Sequence, residues 1–419
     1  MSSSEGGAAA SKGFLSAAVV LAALGYFVDI YDLVLFSVLR VPSLKALGVP
    51  DAELVTTGGL LLDLQLAGLI LGGLSWGVLA DKRGRLTVLF GSILMYSVGN
   101  LGNAFVHDVT MYGVCRLLAG FGLAGELGAG ITLVSELLPK DKRGLGTTLV
   151  ATIGVSGALA AGSIGDALVK WSATDGWRVA YGVGGGVGLL LLALRLGVLE
   201  SGLFKRTQQS EAKLGDVRQL FVPLSRGLRF ARIILVGTPI WFAAGVLFVF
   251  SPEIGGALGL DPKPTGGATI FWAYVGVTLG DLASGLISHR LQSRRRVLGA
   301  FLSSLAVAVV VLLTFGGRSL TTYYGLMMVV GLASGYWVLF VTTAAEQFGT
   351  NLRGTVTTSA PNFVRGMAIP ITAVWMALKP GMGTIPATMA LGLVTIGVAL
   401  IAWWGMPDSF HAELDFVEH

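Results

Sequence analysis

The sequence predicts an all-α membrane protein with twelve transmembrane helices arranged as two six-helix bundles. Three observations carry that expectation. The chain is 53% hydrophobic and only 13% charged, with a mean hydropathy of +0.76, whereas soluble domains carry about 25% charged residues. Twelve stretches approach the ~20 apolar residues that cross a hydrocarbon core. The chain also repeats itself: Glu136, Arg143, Gly144, Thr147 and Thr148 recur 210 positions later as Glu346, Arg353, Gly354, Thr357 and Thr358. Each copy lies between two apolar runs, the pattern of a membrane protein built from parallel repeats.

The elements follow in order. Residues 1–13 lack the basic region and short apolar run of a signal peptide and read as a polar tail. Residues 14–200 form the first bundle, with spans at 14–40, 57–81, 86–106, 110–138, 144–169 and 178–199. The second span holds Gly68, Gly72, Gly73 and Gly77 at the four-residue spacing that lets helices approach closely, and Gly182 to Gly188 serve the sixth in the same way. Residues 201–229, basic and polar, are the linker. Residues 230–405 form the second bundle, with spans at 230–255, 267–290, 296–316, 320–347, 354–378 and 384–405, and residues 406–419 are a tail.

Lys and Arg set the orientation. Of the 29, 20 fall on the side of the termini, 7 on the other, and Arg116 and Arg365 fall inside helices. The positive-inside rule therefore expects both termini in the cytoplasm, and a bacterial inner membrane is the expected location. Topology accounts for the net charge of +5 without a nucleic-acid partner. A single cysteine, Cys115, excludes an intramolecular disulfide and a thiolate metal cluster. The chain has neither a phosphate-binding Walker loop nor a nucleophile–base constellation, which argues against an ATP-driven pump and against an enzyme. No cofactor or metal is expected, and the partners are a small-molecule substrate, protons and the lipid bilayer, with the chain expected to be a monomer.

Between the second and third spans the chain reads Gly77-Val-Leu-Ala-Asp81-Lys82-Arg83-Gly84-Arg85. Asp81 ends a helix where the dipole disfavours an anion, so it needs nearby cations or another helix's N-terminus. The second half carries a degraded counterpart, Gly285 to Arg290 followed by Arg294, Arg295 and Arg296. The pattern resembles the loop signature of the major facilitator superfamily. Arg116-Leu-Leu-Ala-Gly120 through Glu126, then Glu136 to Pro139 and Arg143-Gly144, is similar to its proton-coupled metabolite and aromatic-acid symporter branches. Asp29-Ile-Tyr-Asp32 is close to a first-helix motif of aromatic-acid and phosphate symporters, and Glu200-Ser201-Gly202 resembles the end of the sixth helix in sugar and metabolite porters. The pattern departs at Ala124, where the family has Gly, and at Gly202, where it has Pro. The resemblance implies the major facilitator fold and assigns Glu126 to the proton or substrate pathway.

Charges at membrane depth are expensive and are functional candidates by default. At 1.5 Å per residue, Asp29 and Asp32 lie roughly 20–25 Å up the first helix, near or just above mid-membrane. Spaced i,i+3, they share a face, and two such carboxylates repel, so one is expected to hold a proton. Proton coupling is therefore expected at Asp29, Asp32 and Glu126. Arg116 stands at a level where it reaches Asp32 or Asp63, either as a structural bridge or in the substrate path. Arg365, with Asn362 one turn back, suits a carboxylate or phosphate; the alternative is a bridge to Asp281 or Glu253. Tyr336, Trp337 and Trp241 are candidate cavity-lining aromatics. Asp81, Arg85, Glu136, Arg143, Glu346 and Arg353 are expected to act as gate latches.

The expected function is secondary transport by alternating access, with proton-coupled symport of a small organic anion or related metabolite. An exporter of drugs or metabolites is the alternative. Drug antiporters of the superfamily carry a Gly-Pro motif in the fifth helix, and Ile153 to Gly162 contains no proline. A non-transporting sensor is a third reading, but the termini and linker are too short for a sizeable signalling domain.

Overall fold

The computed structural model describes residues 17–83, 85–125, 143–200 and 220–410. The first half contributes α1 (Ala17–Ala46), α2 (Leu54–Arg83), α3 (Arg85–Ala104), α4 (Val109–Leu123), α5 (Arg143–Trp171) and α6 (Gly176–Glu200). The second half opens with α7 (Leu224–Phe242), which continues as a π-helical turn over Ala243–Phe248 and restarts as α8 (Ser251–Ala257). It continues with α9 (Gly266–Leu291), α10 (Arg294–Phe315), α11 (Leu320–Ser334), α12 (Trp337–Glu346), α13 (Thr350–Gly366), α14 (Ala368–Met382) and α15 (Thr384–Trp404). Among the described residues, eight helical stretches are long and apolar enough to cross a membrane, and none of the residues is in a strand. The fourth span is described only as far as Gly125.

Local chemistry sets the helix ends. At the end of α1, Gly48 takes φ +79, and the N–H groups of Val49 and Gly48 return to the carbonyls of Leu44 and Lys45. Glycine enters this left-handed turn without steric cost, and the turn satisfies two orphaned carbonyls. Asp108, Thr265, Ser293 and Ser319 each cap a helix start by accepting a backbone N–H three residues on.

Two bundles result. In the first, α1 packs on α5 and α6, α2 on α4, and α3 on α4 and α6; in the second, α9 packs on α11, α10 on α11 and α15, and α15 on α7. The bundles meet where α1 and α5 face α9 and where α2 faces α13 and α14. One contact recurs in both halves. A Cβ at Gly68 or Gly72 of α2 would stand 2.2 Å from the carbonyl oxygens of Leu117 and Phe121 on α4, and one at Gly120 would stand 2.0 Å from that of Gln65. In the second half a Cβ at Gly276 or Gly280 of α9 would stand 2.0 or 2.2 Å from the carbonyl oxygens of Met328 and Leu332, and one at Gly331 would stand 1.9 Å from that of Ala273. Any side chain there would push two backbones apart.

Three spans of the second half break, the seventh at the face opposite the basic loops and the tenth and eleventh at membrane depth. The seventh breaks after its π-helical turn at Val249–Phe250, the tenth at Gly335–Tyr336, and the eleventh at Met367. Pro370 has no N–H to return to the Gly366 carbonyl, which accounts for the last of these. Breaks at depth release backbone groups where lipid cannot satisfy them, so they persist only where protein or a cavity faces them.

Candidate functional site

The charged groups inside the first bundle form one set. Asp32 of α1 and Arg116 of α4 are fully buried, with Asn100 of α3 beside the Asp32 carboxylate. Gly184 of α6 makes room for that carboxylate: a Cβ there would stand 2.4 Å from its Oδ1. Arg116 donates to the Tyr181 hydroxyl at 3.5 Å and lies 5.0 Å from the Phe36 ring centre. Among the described residues Arg116 forms no ion pair within 4 Å, whether to Asp32 or Asp63, and its Nε and Nη2 make no hydrogen bond. The arginine is therefore held by hydroxyl and ring contacts, with Asp32 in electrostatic reach rather than in a closed bridge. The hydroxyls continue outward, Tyr181 to Tyr112 at 2.7 Å and Tyr112 to Ser43 at 3.2 Å. Asp63 accepts from Thr372 of α14 at 3.0 Å, a bond that crosses between the bundles.

A second set converges between the bundles. Tyr26 of α1 lies within electrostatic reach of Asp29 on its own helix and of Tyr274, Asp281 and Arg365 from the other bundle. Asp29 and Arg365 are both buried. Arg365 stands at the end of α13, two residues before the break at Met367, with its Nε and Nη1 unbonded and the Trp337 ring centre 5.8 Å away. Asp281 of α9 accepts the N–H of Val338 at 3.2 Å, in the first turn of α12. The breaks of the tenth and eleventh spans thus meet at one point, joined by Trp337 and Arg365. Asn362 is buried with its amide nitrogen packed on Gly73 of α2, again across the interface.

The other expected residues are placed as follows. Tyr336 is fully buried; its hydroxyl donates to the Val236 carbonyl at 2.9 Å and its ring packs on Phe301, so its place is in the packing of the second bundle. Trp241 is half-buried between the two hydrophobic clusters. Glu346 pairs with Arg294 at 3.0 Å and accepts from Ser409 at 2.7 Å. Glu126 and Glu136 lie outside the described residues, as do the side chains of Asp81, Arg85, Arg143 and Arg353.

Two features escaped the sequence reading. At the face opposite the basic loops, Arg40 of α1 reaches Glu253 of α8 at 2.6 Å, donates to the carbonyls of Val249 and Leu54, and stacks 4.7 Å from Phe250. Arg40 is fully buried, so this pair ties the bundles together at that face. Only its charged residues near two span ends signalled it. At the basic face, Asp408 accepts from the Ser293 hydroxyl and from the Arg294 N–H at 2.9 Å, while Phe410 stacks 4.7 Å from Arg294. Partial burial pushes the Asp408 carboxyl up, but the Ser293 hydroxyl and the N–H groups of Arg294, Phe410 and Arg295 outweigh it and hold it below the ordinary carboxylate range.

Comparison with known proteins agrees with this architecture. The model of the Major Facilitator Superfamily matches residues 14–373. The niacin transporter NiaP of Acinetobacter baylyi is 27% identical over 415 residues, covering 90% of each chain. The 3-(3-hydroxy-phenyl)propionate transporter of Escherichia coli is 27% identical over 349 residues, covering 82% of this chain and 83% of that one. Among solved structures, the xylose transporter XylE of Escherichia coli superposes with a TM-score of 0.73 at 16% identity, over 94% of this chain and 98% of that one.

Proposed function

Because the chain belongs to the Major Facilitator Superfamily, and is therefore a membrane transporter of a small molecule rather than an enzyme, we propose that it is a proton-coupled symporter of a small aromatic carboxylate. The observation that carries this reading is the meeting of a buried arginine, Arg365, with the carboxylate-bearing helix α1 between the two bundles. A guanidinium with unbonded donors suits a carboxylate bidentately. The Trp337 ring centre lies 5.8 Å from that arginine, and Tyr26 and Tyr274 lie within its electrostatic reach, a set of rings that suits a planar aromatic body. Two relatives named for niacin and for 3-(3-hydroxy-phenyl)propionate fit the same chemistry, an aromatic ring bearing one carboxylate.

In the mechanism, the substrate carboxylate docks on Arg365 and a proton rides on the α1 carboxylates, Asp29 and Asp32. An anion entering a site already rich in carboxylates favours their protonation, because uncompensated charge away from water is costly. Proton and substrate then favour the same rearrangement, which is what coupling requires. The bundles rock about the site. The Arg40–Glu253 pair closes one face, and its opening alternates with that of the basic face, where Glu346 and the other loop charges act as latches. The protein sits in a bacterial inner membrane with the basic face and both termini in the cytoplasm, so Arg40–Glu253 is the outer gate.

The test is uptake by proteoliposomes. With an inward proton gradient, nicotinate, 3-(3-hydroxyphenyl)propionate or benzoate accumulates, and a protonophore abolishes the accumulation. The same acid raises the melting temperature of the purified protein but not of Arg365→Ala. Uptake of all three acids at the rate of protein-free vesicles would refute the reading.

A further inference from the structure

Resting on the anion-symport reading above, we propose that Asp281 is a second proton carrier, contributed by the second bundle, which is protonated when a substrate carboxylate occupies Arg365. Asp281 stands about 22 Å along α9 from Gly266 at 1.5 Å per residue, at membrane depth. Its two oxygens differ. Oδ1 accepts the N–H of Val338 at 3.2 Å, with the Trp337 N–H alongside, while Oδ2 is buried and makes no hydrogen bond. A carboxylate serving only as a helix cap has no use for a second buried, unbonded oxygen, since an ionised carboxylate accepts on both. A carboxylic acid is the less costly species in this arrangement: Oδ1 goes on accepting from the helix, and the unbonded Oδ2 carries a neutral hydroxyl instead of part of a buried charge.

Asp281 is also tied to the proposed anion site. The break between α11 and α12 presents the Val338 N–H to Asp281 and the Trp337 ring to Arg365. Charged and titratable groups reach this level from three helices: Tyr26 and Asp29 from α1, Tyr274 from α9 itself, and Arg365 from α13. From α12 only backbone N–H groups arrive, since Glu346 is paired with Arg294 at the basic face. The described titratable residues of the other helices packed on α9 lie toward span ends: Asp166 with Lys170 on α5, Glu253 on α8 with Arg40 of α1, Arg294 to Arg296 on α10, and Tyr323 with Tyr324 on α11. A bound substrate carboxylate would add a third anion to the groups around Tyr26, where Asp29 and Asp281 already stand with one guanidinium, that of Arg365. A proton on Asp281 removes one of the three. It is taken from the water on the side where substrate enters and released on the side where substrate leaves, so one hydrogen ion crosses with the anion at this residue.

The experiment compares wild type, Asp281→Asn and Asp281→Glu with nicotinate, 3-(3-hydroxyphenyl)propionate and benzoate as probes. Proton uptake on binding is read with an indicator dye in weakly buffered detergent solution. Transport is read as gradient-driven accumulation and as substrate counterflow, which needs no net proton movement. Asp281→Asn is expected to take up about one proton fewer per substrate bound and to lose accumulation at least about tenfold while retaining counterflow, and Asp281→Glu restores both. Independently of any variant, the wild type should gain an infrared band of a protonated carboxyl group when the probe is added. Proton uptake and accumulation unchanged in Asp281→Asn, or a carboxyl band as large in Asp281→Asn as in the wild type, would overturn the proposal while leaving the symport reading intact; no such band in a wild type that does bind a probe would overturn both. A wild type that neither binds nor accumulates any of the three acids removes that reading and this inference with it.

Discussion

The two bundles share one scaffold and differ in what they do at its centre. Gly68, Gly72 and Gly120 bring α2 onto α4 just as Gly276, Gly280 and Gly331 bring α9 onto α11, backbone against backbone. Yet α1, α2, α3, α5 and α6 run unbroken through the first bundle, while in the second the tenth and eleventh spans break at depth and the seventh breaks near its outer end. The charges differ in parallel. Arg116 is enclosed within its own bundle by Tyr181 and Phe36, whereas Arg365 stands at a helix break facing groups of both bundles. The repeat preserves helix packing, which tolerates no side chain at the glycines. The halves diverge where backbone and charge are exposed to the interface, and there the candidate chemistry lies.

The largest expected effect tests the arginine asymmetry. Arg365→Ala should abolish carboxylate binding, a loss of about 100-fold or more, with Arg365→Lys retaining part because an ammonium offers charge without the planar fork. Calorimetric titration with nicotinate and benzoate checks it. Arg116→Lys should weaken binding less, since Arg116 is walled off by its own bundle. Equal losses at both positions would break the comparison.

Next comes the shared packing. Gly120→Leu and Gly331→Leu should each destabilise by on the order of 3 kcal/mol or prevent folding, because their Cβ atoms would meet carbonyl oxygens at 2.0 and 1.9 Å. Gly325→Ala and Gly397→Ala, with nothing within 4 Å, should be neutral or raise stability by up to about 1 kcal/mol. Melting temperatures in one detergent decide between them.

A smaller effect concerns the gate. Arg40→Gln leaves Glu253 unpaired and should shift the population toward opening at that face, by about 1–3 kcal/mol in the equilibrium. Spin labels at the exposed positions Lys45 and Lys263, replaced by cysteine, report it as a longer distance population. An unchanged distribution would mean the pair follows closure rather than holding it.

The smallest effect is at the tail. Asp408→Asn should cost about 1 kcal/mol at neutral pH. The folded-state carboxyl titrates below its unfolded value, so its contribution is present above the unfolded value and is lost as pH falls through the folded one. Melting curves of wild type and variant should therefore converge on acidification.

Hydropathy, the 210-residue repeat and the loop motif made the helix count, the bundle division and the family legible, because lipid forces backbone groups to pair within a helix and burial there follows from composition alone. Depth counting likewise pointed to Asp29, Asp32, Arg116 and Arg365 as charges inside the membrane, and all four side chains are buried. Counting could not reveal which of these charges face each other. The placement of Tyr336 in packing, of Glu253 on Arg40, and of Asp281 on the α12 N-terminus depends on helix rotation and on breaks that carry no periodic signal. Span and repeat are properties of the chain read along its length. Partnership between charges is a property of where distant helices touch, and it exists only once the two bundles have docked.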